Sequence, residues 1–236
     1  MTTPLEDADR LLDDWSAKAT RIDQNLVDLT SDPVFEALQK GSFEGATGER
    51  VADALTTTDD LFTKRRLLED VIDQARAVRA TVTTFRHGRR LIEIDRLLRQ
   101  PSIVCSERAA APTDRGLLDP DEHETRLTPA QVLASMADGF DRVRGVVADV
   151  GAAWDELAAK VDGIEAEVRS VGAAADAAGP GVAAQHRQLD EAVTEARRLV
   201  GSDPLGAARG AVGALPGNLA ALRRRLPPDR APSGAG

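Results

Sequence analysis

Residues 129–178 read PAQVLASMADGFDRVRGVVADVGAAWDELAAKVDGIEAEVRSVGAAADAA, and their apolar positions decide the fold. Leu133, Met136, Phe140, Val143, Val147, Val150, Trp154, Leu157, Val161, Ile164, Val168, Val171, Ala175 and Ala178 follow at alternating intervals of three and four. Such a seam is one stripe along a helix, since 3.6 residues per turn brings those positions onto a single face. Thr128, Pro129 and Gln131 open it as a capping box with proline in the first turn. At 1.5 Å per residue the helix runs for roughly 70 Å.

The flanks of this seam hold Val132, Ala137, Gly139, Val146, Gly151, Ala153, Ala158, Gly172 and Ala174, where a two-stranded coiled coil would place paired charges. The apolar face is therefore wider than one partner can bury, and more than one neighbouring helix is expected.

Working outward, Gly179–Gly181 breaks the chain. Val182, His186, Leu189, Val193, Ala196 and Val200 then resume the period as the returning arm of a hairpin over 129–201. A weak Gly/Ala-rich helical segment occupies 202–226, interrupted at Pro216 and Gly217, and a Pro/Gly-rich tail over 227–236 is expected to be disordered. Before the hairpin, Thr3, Pro4 and Glu6 start a capped helix over 3–30, and Pro33 starts a short one over 33–40. Gly41–Gly48 reads as a loop. A second long helix spans about 59–100, after a short helical lead-in near Glu49 to Leu55, with Leu68, Val71, Ala75, Val78, Val82 and Phe85 on its seam. Its phase slips afterwards, which places a distortion near His87 and Gly88. Residues 1–100 thus form an N-terminal helical region, and 101–128 an irregular connection. Together these elements predict an all-α protein, an elongated helical bundle or a set of antiparallel coiled-coil hairpins, and they resemble the broad class of bacterial coiled-coil and helical-bundle proteins.

Composition agrees. Among 236 residues, 42% are hydrophobic but only 3% aromatic, with no Tyr, five Phe and two Trp, which favours helix over strand. Trp15, Phe85, Phe140 and Trp154 fall on seams and are expected as core anchors. The single cysteine, Cys105, leaves no intramolecular disulfide to form and reads as a small apolar anchor. The acids of residues 1–20 replace the basic start of a secretory signal, and no apolar stretch approaches a membrane span, so a cytoplasmic protein is expected.

Charge is distributed by helix. Residues 1–33 carry eight acids against three bases, a net of -5; residues 59–100 carry ten bases against seven acids, +3; residues 129–178 have four bases against nine acids, -5. A basic helix between two acidic ones is suited to selecting its own packing partners. The net charge of -9 argues against a nucleic-acid platform covering the whole surface. Arg79, Arg86 and Arg90, within a basic patch over 76–99, remain candidates for partner contact, with pairing to the chain's own acidic helices the plainer role. Arg223, Arg224 and Arg225 beside Leu222 and Leu226 form a second candidate, a short amphipathic segment able to touch anionic lipid only weakly.

No motif of covalent, metal or nucleotide chemistry is intact. The glycines of residues 41–48 could cradle an anion, but Glu44 and Glu49 oppose one and no lysine follows. Asp119, Asp121, Glu122, His123 and Glu124 crowd together without the spacing of a cation loop. The expectation is a non-catalytic interaction or scaffold protein with no cofactor, metal or small-molecule substrate, docking helix to helix with itself or a protein partner. The alternatives are a peripheral membrane assembly protein and a nucleic-acid-binding regulator working through 76–99.

Overall fold

A computed structural model describes residues 3–82, 87–107 and 123–226. Among them run seven helices: α1 (Pro4–Thr30), α2 (Pro33–Lys40), α3 (Gly45–Ala80), α4 (His87–Arg99), α5 (Pro129–Ala177), α6 (Pro180–Ser202) and α7 (Ala207–Arg223). The fold is all-α, with one antiparallel pair of short strands, β1 (Ile103–Glu107) and β2 (His123–Leu127), in the register Ile103 to Leu127 and Cys105 to Thr125.

Both sequence-read capping boxes form. Thr3 N–H donates to Glu6 Oε2 at 2.7 Å while Thr3 Oγ1 accepts from Glu6 N–H, and Thr128 and Gln131 repeat the exchange at 2.8 and 3.1 Å.

Four expectations are corrected. The helix placed over about 59–100 instead begins at Gly45, so half of the expected 41–48 loop is helical. It also ends earlier, at Ala80, and a separate helix starts at His87, at the place of the expected distortion; Thr81 and Val82, β-branched residues of low helix propensity, follow the end of α3. The connection over 101–128 carries β1 and β2, which pair across it. Pro216 does not interrupt α7: Leu215, Leu219 and Leu222 are buried on either side of it, and that packing offsets a proline cost of about 3 kcal/mol. Phe85, Arg86, Asp119, Asp121, Glu122 and the tail from 227 lie outside the described residues, and of His123 and Glu124 the backbone alone is described.

The chain divides into two compact units, one of Met1–Asp32 with Leu55–Arg144, the other of Pro33–Ala54 with Gly145–Gly236. In the first, Asp23 pairs with Arg65 and Asp9 with Arg79, so α1 and α3 run antiparallel. Leu12, Trp15, Ile22 and Leu26 of α1, Leu61, Leu68 and Ile72 of α3, and Val132, Met136, Phe140 and Val143 of α5 are buried there. Burial of Val132 beside the seam fits the wide apolar face read from sequence. Gly139 permits close approach: a Cβ at that position would stand 3.0 Å from Leu61. Helix α4 contacts α1 and buries Ile94 and Leu98.

In the second unit, α6 runs antiparallel to the C-terminal part of α5. Trp154 Nε1 donates to the Val200 carbonyl at 2.9 Å, Arg197 pairs with Asp162, and His186 bonds the Val168 carbonyl. Leu157, Val161 and Val168 of α5, Leu189 and Val193 of α6, and Val212, Leu215 and Leu219 of α7 share one apolar cluster.

Candidate docking interface

Seam side chains are largely consumed inside the units, so a binding surface must be sought in what stays exposed. Helix α4 turns Ile94, Leu97 and Leu98 inward and leaves Arg89, Ile92, Arg96 and Arg99 outward. Ile92 is 70% exposed, the most exposed large hydrophobic residue among those described. Arg99 pairs with Asp95 at 2.9 Å and Arg90 reaches Glu93 only at 3.4 Å, both pairs well exposed. Arg89 and Arg96, one on each side of Ile92, have no ion-pair partner among the described residues. The outer face of α4 is thus a bare isoleucine between two uncommitted guanidinium groups.

The other candidate arginines are more occupied. Arg79 grips Asp9 bidentately at 2.6 and 2.8 Å, and that hydrogen bonding holds the Asp9 carboxyl below its ordinary range. Arg76 reaches Asp73 and Ser16. Pairing of the basic helix with the acidic first helix is therefore realised at Arg65 and Arg79. At the C-terminal end of α7, Arg223 pairs with Glu167 at 2.8 Å and Arg225 donates to Gln185 Oε1 at 2.8 Å, leaving Arg224 to solvent.

Of the expected anchors, Trp15 and Phe140 are both 4% exposed. Lys18 Nζ stands 4.5 Å from the Trp15 ring centroid, and the Arg144 guanidinium stands 5.4 Å from that of Phe140. Trp154 is half-buried, 5.9 Å from Phe43 between ring centroids. Cys105 is buried on β1.

Sequence reasoning did not find the buried carboxylate of Asp203. Thr47 donates to its Oδ1 from both the backbone N–H at 3.0 Å and the hydroxyl at 2.8 Å, and Ala207 N–H donates to Oδ2 at 2.8 Å. The Thr47 hydroxyl in turn accepts from Leu205 N–H at 3.0 Å. Burial alone would push this carboxyl up, yet the hydrogen bonds from Ala207, Thr47 and Gly206 outweigh it and hold it below the usual aspartate range. Gly45 and Gly206 make room: a Cβ on either would stand 2.5 Å from Oδ2, and Gly45 adopts φ +55°. The first turn of α3 does hold an anion, through Thr47, as helix N-termini favour, and the anion is the protein's own. With its oxygens held by N–H and O–H donors, Asp203 is an anchor for the start of α3 and α7. Only the pairing of residues 47 and 203 could have revealed it, and no local pattern carries that.

A trough of about 650 Å³ also opens between α5 and α7, floored by Leu157, Ile164 and Val212 and edged by Lys160, Glu167 and Arg209. Among the described residues, no group of three or more His, Cys, Asp or Glu is placed to hold a metal ion, and no helix is long and apolar enough to cross a membrane. No family of known proteins matches the chain, nor does any curated protein or any solved structure.

Proposed function

We propose that this protein is a non-catalytic, coiled-coil-type interaction or scaffold protein that works by helix-to-helix docking with itself or a protein partner. The observation that carries the reading is the outer face of α4, where Ile92 stands 70% exposed between two arginines. A lone solvent-facing Ile is common, but here it is centred in a stripe of cations along a helix whose opposite face is buried. That is the composition of an amphipathic helix able to dock on both sides. The seams that would drive non-specific association are satisfied within each unit, so docking falls to a small surface selective by charge.

The test is light scattering after size exclusion over a wide concentration range, at low and high salt. Docking to itself predicts a mass above the 25.1 kDa of one chain that falls as salt rises. A strict monomer under every condition overturns self-docking.

A further inference from the structure

A second exposed apolar spot lies on the same unit as α4. Because Asp23 pairs with Arg65 and Asp9 with Arg79, the antiparallel register of α1 and α3 sets Val27 level with Phe62. Val27 is 55% exposed and Phe62 45%, although Leu26 and Leu61 beside them are buried. Val27 shares the α3-facing side of α1 with Asp23 and Asp9, so it lies next to the helix that carries Phe62.

Two carboxylates flank this spot. Asp28 adjoins Val27 with only Gln24 Nε2 bonded to it at 2.7 Å, and Asp59, one turn before Phe62, has no ion-pair partner among the described residues. Arg66, one turn after Phe62, and Arg21, two turns before Asp28, are cations without an ion-pair partner among the described residues, while Asp23 and Glu69 share Arg65, and Asp60 pairs with Lys64.

We propose that the Arg89–Ile92–Arg96 stripe of α4 on one copy docks on the Val27–Phe62 patch, with Asp28 and Asp59, of a second copy. The proposal rests on the helix-docking reading and adds its partner and its surface. Arg89 and Arg96 lie about 10 Å apart along α4 with Ile92 between them, a spacing that lets each cation reach a carboxylate on either side of an apolar contact. The chain's net charge of -9 makes a second copy a ready source of acid for the basic face of α4. A phosphate backbone offers Ile92 nothing to bury against, and a lipid surface calls for a wider apolar face than one isoleucine.

The two surfaces differ, so the contact is heterologous: each copy uses α4 towards one neighbour and its Val27–Phe62 patch towards another. Unless the rotation closes a ring, such contacts extend, and the mean mass climbs with concentration without reaching a plateau.

Sedimentation equilibrium tests the arrangement with two charge-reversed variants of the full chain, Arg89→Glu/Arg96→Glu and Asp28→Arg/Asp59→Arg. All four positions are exposed, and circular dichroism melts check that each variant folds. Each variant alone is expected to be monomeric, and an equimolar mixture to assemble again, since each then supplies the charge the other lacks. Ile92→Ser, which leaves charge untouched, is expected to weaken assembly at least tenfold. Assembly undiminished in all three variants overturns this surface and leaves self-docking standing; a monomeric wild type overturns this surface and self-docking together, and leaves docking to a different protein as the form of the reading that stands. A wild type that stays monomeric yet binds duplex DNA or anionic vesicles through the α4 arginines, indifferent to Ile92→Ser, assigns the face to phosphate instead and also overturns the proposal.

Discussion

Asp203 and Thr47 lie 156 positions apart in the chain, yet the aspartate carboxylate accepts both the N–H and the hydroxyl of the threonine, at 3.0 and 2.8 Å. Removing the acceptor leaves those donors and Ala207 N–H stranded in a buried place. Asp203→Ala is expected to lower the unfolding free energy by about 3 kcal/mol, and Thr47→Val by about 1 to 2 kcal/mol, read by urea denaturation near neutral pH. A loss under about 0.5 kcal/mol for Asp203→Ala would mean that water or relaxation replaces the anchor.

The same anchor has a pH signature. The folded carboxyl titrates below its unfolded value, so its contribution is fully present above the ordinary aspartate pKa near 3.9 and is lost as pH falls through the lower folded value. The stability gap between wild type and Asp203→Asn is therefore expected to be constant from neutral pH down to about 5 and to narrow below about 4. A gap that does not narrow would place the effect in packing.

Substituting glycines separates strain from space. Gly45→Ala puts a Cβ at φ +55° and against Asp203 Oδ2, and is expected to cost about 2 kcal/mol or more. Gly163→Ala, inside α5 with nothing near its added methyl, should instead stabilise by about 0.5 to 1 kcal/mol. Thermal melts of the two variants should move in opposite directions.

Within the first unit, Arg65 holds Asp23 through two hydrogen bonds of 2.5 and 2.7 Å, with the arginine side chain only 14% exposed. A double-mutant cycle is expected to give about 1 kcal/mol of coupling, at the upper end for pairs near a surface. The pair Arg197 and Asp162, exposed on both sides, should show weaker coupling that salt removes.

Trp154→Phe keeps the stacking on Phe43 but deletes the N–H given to the Val200 carbonyl, and is expected to cost about 1 kcal/mol in denaturation. With Trp154 replaced by Phe, Trp15 is left as the only tryptophan, so residual fluorescence reports the first unit.

Local grammar was legible. Thr3 with Glu6 and Thr128 with Gln131 fixed two helix starts to the residue, and the uninterrupted seam of α5 announced its 49-residue length. The errors came where packing overrode local preference. Gly45 reads as a loop residue because a positive φ and a missing side chain look like a turn, whereas here they start α3 against Asp203. Pro216 reads as a breaker, but the leucines on either side keep α7 continuous. The seam read through Val82 and Phe85 did not keep one helix: α3 ends at Ala80 and α4 begins at His87. The interface candidates were half visible: sequence could mark the arginines of 76–99 but not which were already spent, as Arg79 is on Asp9. It had no means of showing Ile92 outward and Val27 level with Phe62, since both follow from how helices face one another.

The order of sequence in the second unit bears on synthesis. Its first piece, Pro33–Ala54, precedes the second, Gly145–Gly236, by about ninety residues. At about 5 to 20 residues per second, a ribosome needs roughly 5 to 18 s to make the intervening stretch. During that interval Phe35, Leu38 and Val51, all buried in the finished molecule, await the larger part of their own unit. The nascent chain therefore holds a waiting apolar segment while the first unit completes, a stage at which chaperone capture or premature aggregation would act.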